Sequence, residues 1–318
     1  MYDPRLHPET VDFMKKGAEI GGPAAGECTP EELRAASDAR SQVLKPAIEP
    51  VRKVIRRKFD GPEGEVPLRI YIPEGAEPPY PVVMIFHGGG WTIRSYELEG
   101  PTSRGLANRV GAIAVSVQYR LAPEARFPGA AEDCYAAARW AVDNVAEFGG
   151  DPSIMAVAGT SAGGNLSAAV SQMARDRGEP NISHQALFCP VIDHNFKRAS
   201  YDEFADGYGL TKIGMQWFWE QYLGPDGNGS DPYASPIQAE DLSGLPDATV
   251  IVAECDVLRD EAEDYAADLQ KAGVDTRLTR YEGVLHGFNC QPGHIHAAES
   301  ALDEAADRIK ASFAKLGA

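Results

Sequence analysis

The sequence predicts an α/β fold, with a mostly parallel central sheet, helices on both faces and a helical cap. Three observations predict it. From Pro81 onward, short apolar runs alternate with stretches of helical periodicity, the pattern of strand–helix–strand crossovers. Runs such as Val82-Val83-Met84-Ile85-Phe86 are apolar throughout, as strands are when both faces are covered. At 318 residues and 43% hydrophobic, the chain can bury one large core and still spare a segment for a cap.

The elements follow in order. Residues 1 to about 45 read as helical and separate from the core, with a capping box at Thr29-Pro30-Glu31-Glu32. Two extended stretches come next, Val51–Phe59 and Val66–Ile72. In the second, Leu68, Ile70 and Ile72 alternate with Arg69 and Tyr71, as in an edge hairpin or meander. Strands are then expected near 82–86, 112–117, 154–158, 186–189, 249–253 and 276–281. Helices are expected near 103–109, 130–147, after 162, 260–272 and 297–314. Residues 194–235 break this rhythm. They carry Phe204, Tyr208, Met215, Trp217, Phe218, Trp219 and Tyr222, aromatics whose spacing suits a core, within an insertion long enough to cap a pocket. The expected division is therefore 51–193 and 236–318 as the catalytic domain, with 1–50 and 194–235 as two parts of the cap.

Composition removes several functions. A net charge of −17 disfavours nucleic acid and anionic membrane surfaces, which need clustered Lys and Arg. The basic stretch Arg52-Lys53…Arg56-Arg57-Lys58 reads as a solvated strand face. No apolar run approaches the ~20 residues of a membrane span, and no signal peptide pattern opens the chain, so a cytoplasmic protein is expected. The five cysteines are scattered without a C-x-x-C pair, which argues against disulfides and a zinc site and for small buried hydrophobes.

Chemistry concentrates in Gly159-Thr160-Ser161-Ala162-Gly163, between an apolar strand and a helix former. In that context G-x-S-x-G makes a nucleophile elbow, a strained turn where a Cβ at either glycine would collide with the adjoining helix and strand. Glycine is about a tenth of the chain, so chance alone flanks about one serine in a hundred this way. The surrounding residues carry the argument further. An activated serine needs a base, an acid to orient the base, and oxyanion donors. His286 sits in a loop after a strand near the C-terminus, whereas His184 and His194 precede any suitable acid and His294 and His296 read as surface residues. Asp256 follows the strand 249–253, and its competitors Asp260 and Glu261 fall in a helix's first turn, where free N–H groups stabilise carboxylates. His87-Gly88-Gly89-Gly90 ends another strand, and its backbone N–H groups can meet a substrate oxygen together with that of Ala162. His87 itself is expected to prop the loop. No GK[ST] ending or helix-opening G-x-G-x-x-G supports a phosphate site. Trp91, after the glycine loop, and Tyr208 and Leu210, in the insertion, are candidate pocket residues.

Together these blocks resemble the hormone-sensitive-lipase-like family of α/β-hydrolases, the bacterial family IV esterases. The others that match are Tyr119-Arg120-Leu121-Ala122-Pro123-Glu124, Asp256-Val257-Leu258-Arg259-Asp260-Glu261 and His286-Gly287-Phe288, and Thr160 resembles the subgroup with Thr before the serine. The resemblance implies the α/β-hydrolase fold, a serine carboxylesterase for short acyl chains with the triad Ser161, Asp256 and His286, a two-part cap, no cofactor or metal, and a homodimer. Two alternatives stand beside it. The same triad could act on a lactone, amide or carbamate, or the fold could serve only to bind a small molecule, as in the plant gibberellin receptors, which lack the histidine that His286 supplies here.

Overall fold

The computed structural model describes residues 2–317. Eight strands form one sheet in the order β1-β2-β4-β3-β5-β6-β7-β8. They are β1 Lys53–Gly61, β2 Gly64–Ile72, β3 Tyr80–Phe86, β4 Ile113–Val117, β5 Gly150–Thr160, β6 Ile182–Phe188, β7 Asp247–Cys255 and β8 Thr276–Leu285. The pairs β1/β2 and β2/β4 are antiparallel and every other pair is parallel. The expected α/β architecture is therefore present, and β3 and β5 to β8 run longer than the apolar runs that announced them.

Period-2 geometry divides each central strand between two faces. Val82, Met84 and Phe86 of β3 join one buried cluster with helices α4 (Gly129–Asn144) and α5 (Ala162–Arg177). Val83 and Ile85 join another with α3 (Gly100–Val110) and α9 (Ala297–Ala314). Helix α8 (Arg259–Lys271) packs on β6 and β7 through Ala262, Tyr265 and Leu269. The hairpin β1–β2 does lie at the sheet edge, but only β1 is solvated. Arg69 and Tyr71 of β2, which alternate with Leu68, Ile70 and Ile72, are buried as well. Arg69 ion-pairs with Glu97 and lies over the Tyr96 ring, and Tyr71 packs beneath α3. A strand in the second position is covered on both sides, and alternation in its sequence then marks two different neighbours.

Helices α1 (Pro8–Ile20) and α2 (Pro30–Val43) occupy the N-terminal segment, and the Thr29–Glu32 capping box forms as expected. The 194–235 insertion contributes α6 (Ala199–Glu203) and α7 (Lys212–Leu223). The two segments meet. Tyr208 donates a 2.7 Å hydrogen bond to Asp3, Arg5 pairs with Glu203 at 2.5 Å and lies over the Phe204 ring, and Gly26 abuts Ile213. Among the described residues no helix is long and apolar enough to cross a membrane.

Candidate active site

Four loops leave the carboxyl ends of β3, β5, β7 and β8, the edge where ligands bind in parallel sheets. They carry His87–Gly90, Ser161, Asp256 and His286 respectively, so the four candidate catalytic motifs emerge at one edge.

Ser161 has φ 60° and ψ −118°, a backbone conformation that a non-glycine residue keeps only when its surroundings enforce it. The enforcement is visible. Its N–H donates to Phe188 O at 2.8 Å, and its carbonyl accepts from Asn165 N at 3.0 Å. A Cβ on Gly163 would overlap the Phe86 carbonyl, and one on Gly159 would lie 2.6 Å from that same oxygen. The glycines are thus required by the close approach of α5 to β3. Ala162 opens α5, whose first N–H groups have no intrahelical partner.

Asp256 is buried, accepts from Leu258 N at 3.0 Å, and receives the His286 Nδ1–H at 2.7 Å. Its competitors are otherwise engaged. Asp260 accepts from Ser200 N of α6 and from Arg259 Nε, and Glu261 from Ile192 N and Asp193 N, so these first-turn carboxylates bind neighbouring segments. The His286 ring meets Asp256 but makes no hydrogen bond to the Ser161 hydroxyl in this resting arrangement. His184 is buried between Ser312 and Thr249, and burial pushes it down to about 3.

The glycine loop is braced from within. His87 is fully buried and pushed down to about 3 by desolvation, so it is neutral, and its Nδ1 can only donate to the Gly88 carbonyl 2.8 Å away. Its ring stacks on Tyr119 at 4.1 Å, and the Tyr119 hydroxyl donates to His87 O at 2.7 Å. Arg34 of α2 ties this region to the N-terminal segment through Thr92 O, Ala122 O and Glu124. Gly88 N–H already has an acceptor, Glu99 Oε2 at 3.4 Å.

The three pocket candidates separate. Trp91 has no accessible surface; it stacks flat on Tyr222 at 4.1 Å and packs against Trp219. A side chain without exposed surface does not line an open pocket, so Trp91 departs from expectation and belongs to the core beneath α7. Tyr208 and Leu210 are half-buried. Two surface hollows, of about 330 Å³ beside Arg34 and Glu124 and about 820 Å³ along β1, lie away from Ser161. Sequence reasoning missed Glu99, because a glutamate in Tyr96-Glu97-Leu98-Glu99 reads as solvated, yet it is wholly buried.

Comparison with known proteins decides the family. The family described as alpha/beta hydrolase fold matches residues 83–290. This chain is an α/β-hydrolase. Within that family it belongs to the hormone-sensitive-lipase-like esterases. It is 42% identical to the carboxylic ester hydrolase LipN of Mycobacterium tuberculosis over 72% of its own length, a match spanning 62% of LipN. It is 31% identical to the ethyl acetate hydrolase of Pseudomonas putida over 93% of this α/β-hydrolase and 96% of that protein. The solved structure of ester-hydrolase EH1AB1 from the metagenome of Lake Arreo superposes with a TM-score of 0.91 at 38% identity, covering 97% of this chain and 99% of that one.

Proposed function

We propose that this α/β-hydrolase is a serine carboxylesterase acting on short-chain acyl esters through an acyl-enzyme. Membership of the esterase branch, with relatives named for ester hydrolysis, supports the coarser statement that it is a carboxylic ester hydrolase. The single observation that carries the mechanism is the 2.7 Å His286–Asp256 pair at the same sheet edge as a serine held at φ 60°.

In this reading Asp256 holds Nδ1 protonated, which leaves Nε2 free to take the proton of Ser161 as its oxygen attacks the ester carbonyl. Bases and nucleophiles are often apart without substrate and meet in the complex, which accommodates the missing serine–histidine hydrogen bond. Gly89 and Ala162 N–H groups receive the oxyanion, and Gly88 N–H adds a third donor if it leaves Glu99. Each donor contributes roughly 2.7–4 kcal/mol to the transition state. His286 then protonates the departing alcohol, and water activated by the same imidazole releases the acid. No step requires a cofactor.

The half-buried Tyr208 and Leu210 are the proposed pocket walls, under a cap formed by 1–50 and 194–235, with 51–193 and 236–318 as the catalytic domain. A homodimer and cytoplasmic placement remain part of the proposal. Acyl preference should be graded, since an apolar pocket discriminates by ~1–3 kcal/mol per methylene. The test is a p-nitrophenyl ester panel of increasing acyl length. The reading expects a maximum among short chains and a loss of about 10⁴–10⁶ in kcat for Ser161→Ala. Unchanged turnover in Ser161→Ala defeats the triad, and a long-chain optimum defeats the substrate class.

A further inference from the structure

Behind Ser161 lies a carboxylate that the triad does not use. Glu99, just before α3, has no accessible surface, and among the described residues no cation pairs with it. Its Oε1 accepts from Thr160 Oγ1 at 3.0 Å, and its Oε2 accepts from Gly88 N–H at 3.4 Å. Cys290 Sγ lies 3.6 Å from Oε1. The Thr160 hydroxyl, having given its one proton to Glu99, accepts from Asn289 Nδ2 at 2.8 Å. A carboxylate buried without a cation is costly unless hydrogen bonds compensate, and an apolar side chain would fill the space without that cost.

What the contacts join is informative. Gly88 belongs to the proposed oxyanion loop, Thr160 precedes Ser161, and Asn289 and Cys290 follow His286 by three and four residues. Gly88 also sits tightly on the serine turn, since a Cβ there would lie 2.8 Å from Thr160 O. We infer that Glu99 is a positioning residue: through Thr160 and Asn289 it fixes the oxyanion loop, the serine turn and the histidine loop in one frame. The inference rests on the triad reading above.

The test compares Glu99→Gln, which keeps an acceptor for Thr160 but sets a donor against Gly88 N–H, with Thr160→Val, which keeps shape and cuts the chain. Turnover of p-nitrophenyl acetate is expressed per serine titrated by a phosphonate. The expected result is a fall in kcat of roughly 10–100-fold in each variant, as for a displacement of about 1 Å at reacting groups. KM should stay within about threefold, and the double variant should be no worse than the poorer single one, because both break one network. A role confined to stability lowers the number of titratable serines and leaves kcat per serine unchanged, and that result overturns the proposal. If Glu99→Gln does not fold, Thr160→Val decides by the same two outcomes. Wild-type kcat in these variants beside an inactive Ser161→Ala defeats the positioning role alone, whereas an active Ser161→Ala defeats the triad reading itself.

Discussion

The serine turn and the contact between residues 1–50 and 194–235 are held by different kinds of force. Around Ser161, backbone hydrogen bonds and contacts between α5 and β3 leave no room for a single added carbon. Between residues 1–50 and 194–235, the links include Arg5–Glu203 and Tyr208–Asp3, side-chain contacts at or near the surface. Close-packed backbone admits few sequences, whereas exposed ion pairs contribute roughly 0–1 kcal/mol and can be exchanged. Under the proposed function, chemistry is built on the constrained part and substrate preference on the permissive one.

The largest effect that would sharpen this contrast is at Asp256. Asp256→Asn should cut kcat by about 10⁴ while leaving the melting temperature nearly unchanged, because the amide supports the wrong imidazole tautomer. Steady-state kinetics beside a thermal melt checks both halves.

Next comes Trp91, which the sequence placed in the pocket and the structure places in the core. Trp91→Ala should cost about 3–5 kcal/mol by denaturant unfolding, as a buried aromatic stacked on Tyr222 requires. A variant of undiminished stability with an altered acyl preference would return Trp91 to the pocket.

A pH series probes the constrained part differently. Glu261 is fully buried and pushed up to about 8 by desolvation, against an ordinary 4.5. A carboxyl that is harder to ionise when folded contributes stability that is complete below the unfolded value and lost as pH rises through the folded one. Glu261→Gln removes that dependence, so its stability relative to wild type should improve by about 1–3 kcal/mol between pH 5 and 9. A flat difference contradicts the buried-acid account. His87 and His184 act in the opposite sense. Both are pushed down to about 3, so their contribution is present above 6.5 and is lost as pH falls toward 3.

The smallest effect belongs to the permissive part. Tyr208→Phe removes one hydrogen bond to Asp3 and should change stability by less than about 1 kcal/mol. Its mark should be a change in KM across the ester panel, and a uniform change in kcat for all esters would break the distinction.

This contrast also explains what could be read in advance. The sheet was legible because β3, β4 and β5 are apolar on both faces, and the serine turn because local sterics require glycine on each side. Asp256 and His286 were legible by chain order and by their places after strands. Trp91 was misread, since sequence shows that an aromatic follows the glycine loop but not which way its ring turns. Glu99 was invisible because burial of a charged residue depends on partners, Thr160 and Cys290, that lie about 60 and 190 positions away. The burial of Arg69 was invisible for the same reason, its ion pair being with Glu97.

The most direct measurement of the central claim is a crystal structure with a phosphonate bound to the enzyme. The account predicts a covalent bond to Ser161 Oγ, the phosphonyl oxygen about 2.7–3.1 Å from the Gly89 and Ala162 N–H groups, and His286 Nε2 within hydrogen-bonding reach of the adduct. Attachment at another side chain, or a His286 Nε2 out of hydrogen-bonding reach of the adduct, would contradict it.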